Sequence, residues 1–468
     1  MIGITLYSIR RAFCTWIISD FFKEKYMQHS FIYLLVCLLI GIAAIVLLTA
    51  RYKVHAFFAL IISCFIVGLG VQMPVSEVIT ATKEGFGNIM KSLGLLIVLG
   101  TTLGVVLEHT GSTSVMANYI LGKVGEKRAP LAMSVTGFII GLPIFCDSGY
   151  IVLSGLNQSL ARRTGISVAV MATSLATGLY SVHCLIPPHP GAAASAGIIG
   201  VDFGKLILVG IAVAIPSAIV GYFWAKYAGS KTPVFAENVE EQQVNVVRPS
   251  VLKSFLPVIV PIILIGLKSF LLVENAPAEG FVNSLLSIGD PVIALSIGVL
   301  LAFAGQRSWT RDAVSHLLQD AAEKAGGILV IIGAGGAFGA VLAATKIGDH
   351  LSASLALGSL GIFFPFLLTS LLKTAQGSST VAIITASSIV QPLLPALGLA
   401  TGSGPLLCIL SMGAGSMMVS HANDAYFWVI AKFSGMDMKT MLRVYSVATV
   451  MMGITSFLVV FFLSKILE

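Results

Sequence analysis

Long apolar stretches recur along almost the whole chain and are interrupted mainly by glycine, proline or short polar runs. A helix of about 20 apolar residues is long enough to cross the hydrocarbon core of a bilayer. The chain is therefore predicted to be an all-α polytopic membrane protein. Apolar regions with internal interruptions lie at 130–200, 358–398 and 403–434. Uninterrupted membrane helices are predicted near 31–50, 54–73, 93–110, 204–226, 251–273, 290–305, 325–343 and 444–463.

The composition supports this fold class. Of the 468 residues, 56% are hydrophobic and only 10% are charged, and the mean hydropathy of +0.95 exceeds that of water-soluble globular proteins. The net charge of +7 then indicates membrane topology and not nucleic-acid binding, because basic residues collect in the cytoplasmic loops of membrane proteins. The six cysteines form no CxxC pair, so we expect buried thiols and neither a disulfide framework nor a metal site.

A polar segment at 228–250 divides the chain into two halves, 31–227 and 251–468. We predict that this segment is a cytoplasmic linker, because it carries several glutamates and no apolar periodicity. Residues 1–30 contain an apolar patch that is too short to span a bilayer, and we interpret them as an N-terminal extension or a misassigned start.

Similar segments recur in the two halves at a near-constant offset. Each half has a helix of small residues, then a polar break (CDSG or AQGSST), then a second break within an apolar stretch (IPPHPG or SHAND). Basic residues such as Lys127 and Arg163 flank the first interrupted stretch, whereas the ends of its counterpart are uncharged. By the positive-inside rule the two stretches open to opposite sides of the membrane. This pattern predicts two inverted repeats, each with a re-entrant hairpin and a broken helix. In the helices of small residues, Gly100 and Gly104 correspond to Gly335 and Gly339.

Polar and ionisable residues concentrate at these four breaks. Irregular backbone at membrane depth is tolerated only where it is buried in protein or lines a wet cavity, and a charged residue there costs roughly 2.5–3.5 kcal/mol. Four helix N-termini are expected to converge near the midplane, each offering unpaired N–H groups and about half a positive charge. Such a lining suits a small polyhydroxylated anion. The residues predicted to bind it are Ser148, Gly149, His189, Lys373, Gln376, Gly377, Ser378, Ser379, Thr380 and Asn423.

Interrupted helices in corresponding positions of the two halves point to the binding site of a transporter. Such a transporter needs a coupling ion, for which we predict the proton and no other cofactor. Asp147, Asp424 and His421 are the candidate proton-carrying groups. A structural alternative applies to the charged residues, because Lys373 and a neighbouring aspartate can form an internal ion pair that holds the breaks together. Sodium is a less favoured coupling ion, although the hydroxyl and carbonyl oxygens at the breaks also suit a hard cation.

Three motifs resemble the gluconate permease (GntP) family of bacterial sugar-acid:proton symporters: PPHPG at 187–191, GSSTVAIITA at 377–386 and SHANDAYFW at 420–428. The resemblance runs from about residue 31 to the C-terminus. It implies an inner-membrane permease of the elevator-type ion-transporter fold that takes up gluconate or a related aldonate or ketoaldonate with protons. The chain departs from the pattern of gluconate carriers at Cys146-Asp147-Ser148 and at 373–376, which leaves open whether gluconate itself is the substrate.

Several alternatives remain open on the sequence alone. Some members of that family carry D-serine, and a symporter of D-serine or another small carboxylate, or a sodium-coupled carboxylate transporter, fits the same lining. An intramembrane metalloenzyme is disfavoured, because the chain contains no HExxH motif and His183, His189, His421 and Asp424 lack ligand spacing on one helix. We therefore predict that the chain is not an enzyme. The expected partners are a sugar acid and membrane lipid, with a homodimer as a possible assembly and no nucleic acid.

Overall fold

The computed structural model describes residues 31–232, 234, 249–272, 287–306, 309–345 and 360–467. The predicted N-terminal extension 1–30 and most of the predicted linker 228–250 lie outside the described residues. Within the described ranges every regular element is a helix. The predicted all-α fold class is therefore confirmed for this part of the chain.

Capping residues and glycines set the ends of the helices that precede the linker. The Ser167 hydroxyl and the Asp202 carboxylate accept hydrogen bonds from amides of the first helical turn that follows each of them. Gly165 and Gly200 end the preceding helices with positive φ. The helices are α1 (Phe31–Val46), α2 (Ala56–Gly70), α3 (Val75–His109), α4 (Ser112–Val124), α5 (Ala129–Gly141), α6 (Cys146–Thr164), α7 (Val168–Leu185), α8 (Pro190–Ile199) and α9 (Phe203–Ser230).

The helices that follow the linker use the same signals. Asp290 caps a helix that has proline at its first position, and Gly435 ends another helix with positive φ. These helices are α10 (Val251–Leu272), α11 (Pro291–Ala304), α12 (Arg311–Ala344), α13 (Phe363–Gln376), α14 (Ser379–Val390), α15 (Gly404–Met417), α16 (Ala425–Ser434), α17 (Met438–Met441) and α18 (Val447–Leu467).

Six helical segments of the described chain are long and apolar enough to cross a membrane, judged by length and composition. They are Val75–His109, Val168–Ile199, Phe203–Ser230, Val251–Ser269, Arg311–Ala344 and Met438–Leu467. Two predicted spans lie within longer helices, because α3 begins at Val75 ahead of the span predicted near 93, and α12 begins at Arg311 ahead of the span predicted near 325. The first halves of both helices carry charged residues, which lower the local hydropathy without interrupting the helix.

The two longest helices, α3 and α12, pack against each other over many turns. Glycines face each other at this contact. A side-chain carbon on Gly85 would collide with the Gly336 carbonyl, and one on Gly336 would lie 2.7 Å from the Gly85 carbonyl. Small residues allow helix backbones to approach closely in a membrane, where tight packing replaces the hydrophobic effect as the source of association.

The interior of the bundle is built around α7 and α15. Helix α7 packs between α5 and α9, while α15 packs between α13 and α18. In the most apolar window of the Val168–Ile199 segment 94% of residues are buried, against 33–61% for the other five spans. This segment is therefore shielded from lipid by the surrounding helices. The breaks predicted from the sequence lie within this inner group of helices.

Candidate functional site

Four breaks in helical structure lead directly into four helix N-termini. Leu142–Phe145 precedes α6, Ile186–His189 precedes α8, Gly377–Ser378 precedes α14, and Met418–Asp424 precedes α16. Each break is only two to seven residues long, so the two helices that flank it stay close together. The breaks come from different parts of the sequence, and the packing of the inner helices brings them to one place.

A cavity of about 490 Å³ lies where these N-termini meet. Each of the four N-termini contributes to its wall, and α12 closes one side. Its lining consists of Phe145, Cys146, Asp147, Ser148, Tyr180, His183, Pro190, Lys324, Ile328, Ile331, Gln376, Ser378, Ser379, Thr380, Val381, Asn423, Asp424, Ala425 and Tyr426. The convergence of N-termini that the sequence predicts is thus present as a single cavity.

Most of the residues predicted to form the site line this cavity, and a minority do not. Those that line it are Asp147, Ser148, Gln376, Ser378, Ser379, Thr380, Asn423 and Asp424. Five predicted residues are not part of the lining, namely Gly149, His189, Lys373, Gly377 and His421.

Lys373 is completely buried and is not among the residues that line the cavity. Its Nζ donates to the Gly377 carbonyl and lies 2.6 Å from Oδ2 of Asp424. Asp424 also accepts a hydrogen bond from Ser420 Oγ at 2.5 Å and one from the Tyr426 amide at 3.0 Å. The two charges therefore compensate each other, and the pair joins the break before α14 to the break before α16.

The histidines at the breaks hydrogen-bond to backbone carbonyls that the interrupted helices leave without partners. His189 Nε2 lies 2.5 Å from the Gly141 carbonyl at the end of α5, and His421 Nε2 lies 3.0 Å from the Thr374 carbonyl at the end of α13. The Asn423 amide donates to the same Thr374 carbonyl at 2.8 Å. These contacts satisfy terminal carbonyls of helices that stop inside the protein.

Several polar side chains of the lining have atoms without a described partner, including Nδ1 of His183 and Oδ1 of Asn423. Gln376 and Asp147 have the most unused hydrogen-bonding capacity. Gln376 is 8% exposed, and neither its amide nitrogen nor its amide oxygen has a partner among the described residues. The Asp147 carboxylate has only a weak contact with the Cys146 thiol at 3.8 Å, and no described basic side chain lies within ion-pair distance of it. Because unpaired buried polar groups are costly, both side chains are suited to bind a polar ligand.

The amides at one of the N-termini are also available to a ligand. Helices α14 and α16 are capped by the side chains of Ser378 and Asp424, whereas α6 has no side-chain cap. Helix α8 also has no side-chain cap, but it contributes to the lining only through Pro190, which has no N–H group. Uncapped N-terminal amides carry partial positive charge and bind anions. The cavity therefore combines an anion-binding helix end with neutral hydroxyl and amide groups.

The sequence interpretation did not identify the contribution of α12, which supplies Lys324, Ile328 and Ile331 to the lining. Charged residues lower the hydropathy of the first half of this helix, so the predicted span begins near residue 325 and leaves out Lys324. A signal was present, because Leu317, Ala321 and Ala325 recur every four residues and are all buried. Tyr180 and Tyr426 were also missed, since an aromatic residue in an apolar stretch gives no indication that it faces a cavity.

Gly377 permits the close contact between the break before α14 and the break before α16. Its φ is +87°, and a side-chain carbon there would collide with the backbone of Asn423. We expect Gly377→Ala to combine about 1–2 kcal/mol of backbone strain with about 1–3 kcal/mol of overpacking. Gly398→Ala is the matched control, because Gly398 has a φ of +69° in open space and should show only the strain. Thermal unfolding of the purified variants measures this difference, and equal losses would contradict the proposed crowding.

Comparison with known proteins gives consistent matches over nearly the whole chain. A family model described as GntP family permease matches residues 33–466. The chain is 32% identical over 453 residues to a gluconate permease of Pseudomonas aeruginosa, covering 94% of this chain and 99% of the relative. It is 30% identical over 449 residues to the D-serine transporter DsdX of Escherichia coli O6:H1, covering 94% and 100%.

A solved structure also resembles the fold. The YdaH transporter of Alcanivorax borkumensis superposes with a TM-score of 0.63 at 16% sequence identity, covering 84% of this chain and 89% of that chain. At this level of identity the likeness concerns the arrangement of helices alone. The helices of this chain are therefore arranged as in a known membrane transporter.

Proposed function

Because the chain belongs to the GntP family of permeases, we propose that it takes up gluconate or a related sugar acid together with protons. It is a multi-pass protein of the bacterial inner membrane and a permease, not an enzyme. The proposal concerns which acid is carried, how transport is coupled to an ion, and which residues take part.

The observation that carries the proposal is the cavity at the four helix N-termini. Its volume of about 490 Å³ falls in the range of small-molecule sites. The uncapped N-terminus of α6 offers backbone amides to a carboxylate. Gln376, Ser379 and Thr380 offer partners to the hydroxyl groups of an aldonate. An apolar solute would leave these groups unpaired, so the lining favours a polyhydroxylated anion.

We assign the architecture to two inverted repeats, 31–227 and 251–468. The packing of helices supports this assignment, since α5–α7 and α7–α9 contacts in the first half correspond to α13–α15 and α15–α18 contacts in the second. Across the halves, α6 packs on α16 as α14 packs on α8. In this arrangement α5–α6 and α13–α14 are the re-entrant hairpins. Together with the broken helices α7–α8 and α15–α16 they form a module that moves against a scaffold containing α3 and α12.

We assign the coupling proton to Asp147 in preference to Asp424 and His421. The Asp424 carboxylate is buried and already engaged by an ammonium and two further donors. His421 is engaged by the Thr374 carbonyl. Asp147 faces the cavity at the N-terminus of α6 without a basic partner, so it can gain and lose a proton as the cavity fills and empties.

D-serine is a second candidate substrate, because a D-serine transporter is among the relatives that match the full length of this chain. The carboxylate of D-serine would occupy the same helix N-terminus, that of α6. Its ammonium group would pair with an ionised Asp147, whereas a sugar acid has no cation to offer. Competition between the two substrates for uptake distinguishes these possibilities.

Uptake of labelled D-gluconate into right-side-out membrane vesicles tests the proposed function. We expect uptake that is stimulated by an inward proton gradient in sodium-free buffer and inhibited by unlabelled aldonates more strongly than by D-serine. The controls are vesicles that lack the protein and vesicles treated with a protonophore. Stronger inhibition by D-serine would assign the chain to amino-acid transport, and a strict requirement for sodium would exclude proton coupling.

A further inference from the structure

Lys324 occupies a position that differs from that of Lys373. It lies on α12, where it contributes to the wall of the central cavity beside residues of the α6 N-terminus. It also lines a narrow space with Ser148 and Glu108, and a second cavity of about 400 Å³. Lys324 is therefore a common wall residue of adjoining spaces that lead from the central cavity to the surface.

The second cavity lies between the end of α3 and the beginning of α12. Val105, Glu108, His109, His316 and Asp320 line it together with Lys324. Exposed Arg311 lies at the first position of α12, beside this cavity, and the basic residues of 123–128 and 162–163 belong to the neighbouring α4 and α6 helix ends. By the positive-inside rule this end of the bundle faces the cytoplasm.

Lys324 forms an exposed ion pair in which another anion can replace its partner. Its Nζ lies 2.9 Å from Oδ2 of Asp320, and both side chains are 39% exposed. Ion pairs at this exposure contribute little because water competes for both partners. The pair of Lys373 with Asp424, by contrast, is buried and supported by further hydrogen bonds. A carboxylate ligand can therefore replace Asp320 at Lys324, and it has no such access to Lys373.

We propose that Lys324 is a second binding point for the carboxylate of the transported acid, on the cytoplasmic side of the central cavity. The acid leaves the N-terminus of α6, pairs with Lys324 in place of Asp320, and then passes through the second cavity. Glu108, which lines the same route, repels the anion and limits its residence there. This inference rests on the proposed transport of a sugar acid.

The test compares apparent KM values for labelled D-gluconate from the two membrane faces. Inside-out vesicles expose the cytoplasmic face and right-side-out vesicles the other face. We expect Lys324→Gln to raise the cytoplasmic KM about fivefold, as for the loss of a partly exposed ion pair, and to leave the outer KM within about twofold of wild type. Lys324→Arg should retain the wild-type cytoplasmic KM. Lys83→Gln is the matched control, because Lys83 is an exposed lysine on α3 that lines neither cavity.

Asp320→Asn provides a change in the opposite direction, because it removes the group that competes with the substrate for Lys324. We expect a two- to threefold lower cytoplasmic KM for this variant. The double variant Asp320→Asn, Lys324→Gln should keep the raised KM. A return to the wild-type value would attribute the effect to an unpaired Asp320 and overturn the proposal.

Other outcomes also separate the possibilities. An equal change of KM on both faces, or none on either face, would overturn the role of Lys324 in cytoplasmic release. If Lys324→Gln misfolded, its maximal rate would fall from both faces without a shift of one KM. The lower cytoplasmic KM expected for Asp320→Asn would then carry the test, and an unchanged KM in that variant would overturn the proposal. If the wild-type protein transported neither D-gluconate nor any other sugar acid, the proposed function itself would fail.

Discussion

Replacing Asp147 with asparagine should abolish proton-driven accumulation of substrate while leaving exchange of substrate across the membrane intact. Asparagine has the shape of the protonated aspartate but cannot release a proton. The variant should therefore cycle between the two faces with a permanently neutral group in the cavity. Its uptake should lose the dependence on external pH that wild type shows.

The expected size of this effect follows from the energy in the gradient. If one proton accompanies each monovalent anion, no net charge moves and the membrane potential contributes nothing. A gradient of one pH unit then supports about tenfold accumulation, since a tenfold ratio corresponds to about 1.4 kcal/mol. For Asp147→Asn the ratio should remain about one. Accumulation is measured in proteoliposomes with an imposed pH gradient, and exchange by counterflow of labelled substrate.

Asp437→Asn is the control for this variant. Asp437 is exposed, caps the short helix α17 through the Thr440 amide, and is not among the residues that line the cavity. This variant should accumulate substrate as wild type does. If Asp147→Asn accumulated substrate to the wild-type ratio, Asp147 would be excluded as the proton carrier and Asp424 would remain a candidate. Loss of both accumulation and counterflow would indicate a role in substrate binding.

Removing the charge of Lys373 should strongly destabilise the protein. In Lys373→Met the Asp424 carboxylate would remain buried without its cation. Breaking a buried ion pair by removing one partner costs about 3–5 kcal/mol, because the remaining charge has lost its compensation. Ser420 and the Tyr426 amide still donate to the carboxylate and prevent a larger loss.

The double variant Lys373→Met, Asp424→Asn is the decisive companion of this experiment. It removes both charges, so we expect it to be more stable than Lys373→Met. Unfolding can be followed on heating by labelling of thiols, since Cys37, Cys64, Cys146, Cys184 and Cys408 are buried in the native protein. A double variant no more stable than the single one would indicate that Lys373 acts through something other than the charge of Asp424.

The Lys373→Met variant also distinguishes a role in substrate binding from a structural role. If Lys373 bound the substrate carboxylate directly, Lys373→Met would raise KM strongly at temperatures where the protein remains folded. With its Nζ committed to Asp424 and Gly377, we expect the main effect on stability and a smaller one on KM. This outcome would favour the structural alternative that the sequence left open.

The sequence determined the class of molecule and the location of its unusual segments. Apolar stretches long enough to span a bilayer predict a polytopic helical protein, and the family resemblance seen in the PPHPG, GSSTVAIITA and SHANDAYFW motifs is confirmed. The breaks could also be identified, because glycine, proline and ionisable residues are conspicuous in apolar sequence. The breaks can be recognised locally because polar groups are costly in hydrocarbon, and this cost applies wherever the segment lies in the fold.

The tertiary structure decided which side chains of each break face the cavity. Lys373 and Asp147 look alike in sequence, as single charges beside a break, yet one is sealed in an ion pair and the other lines the cavity. Lys324 lies in a helix segment too polar to be predicted as part of a span, and the packing of α12 beside the four N-termini brings it to the site. The direction and partner of a charged side chain depend on helices distant in the chain, so no local pattern could specify them.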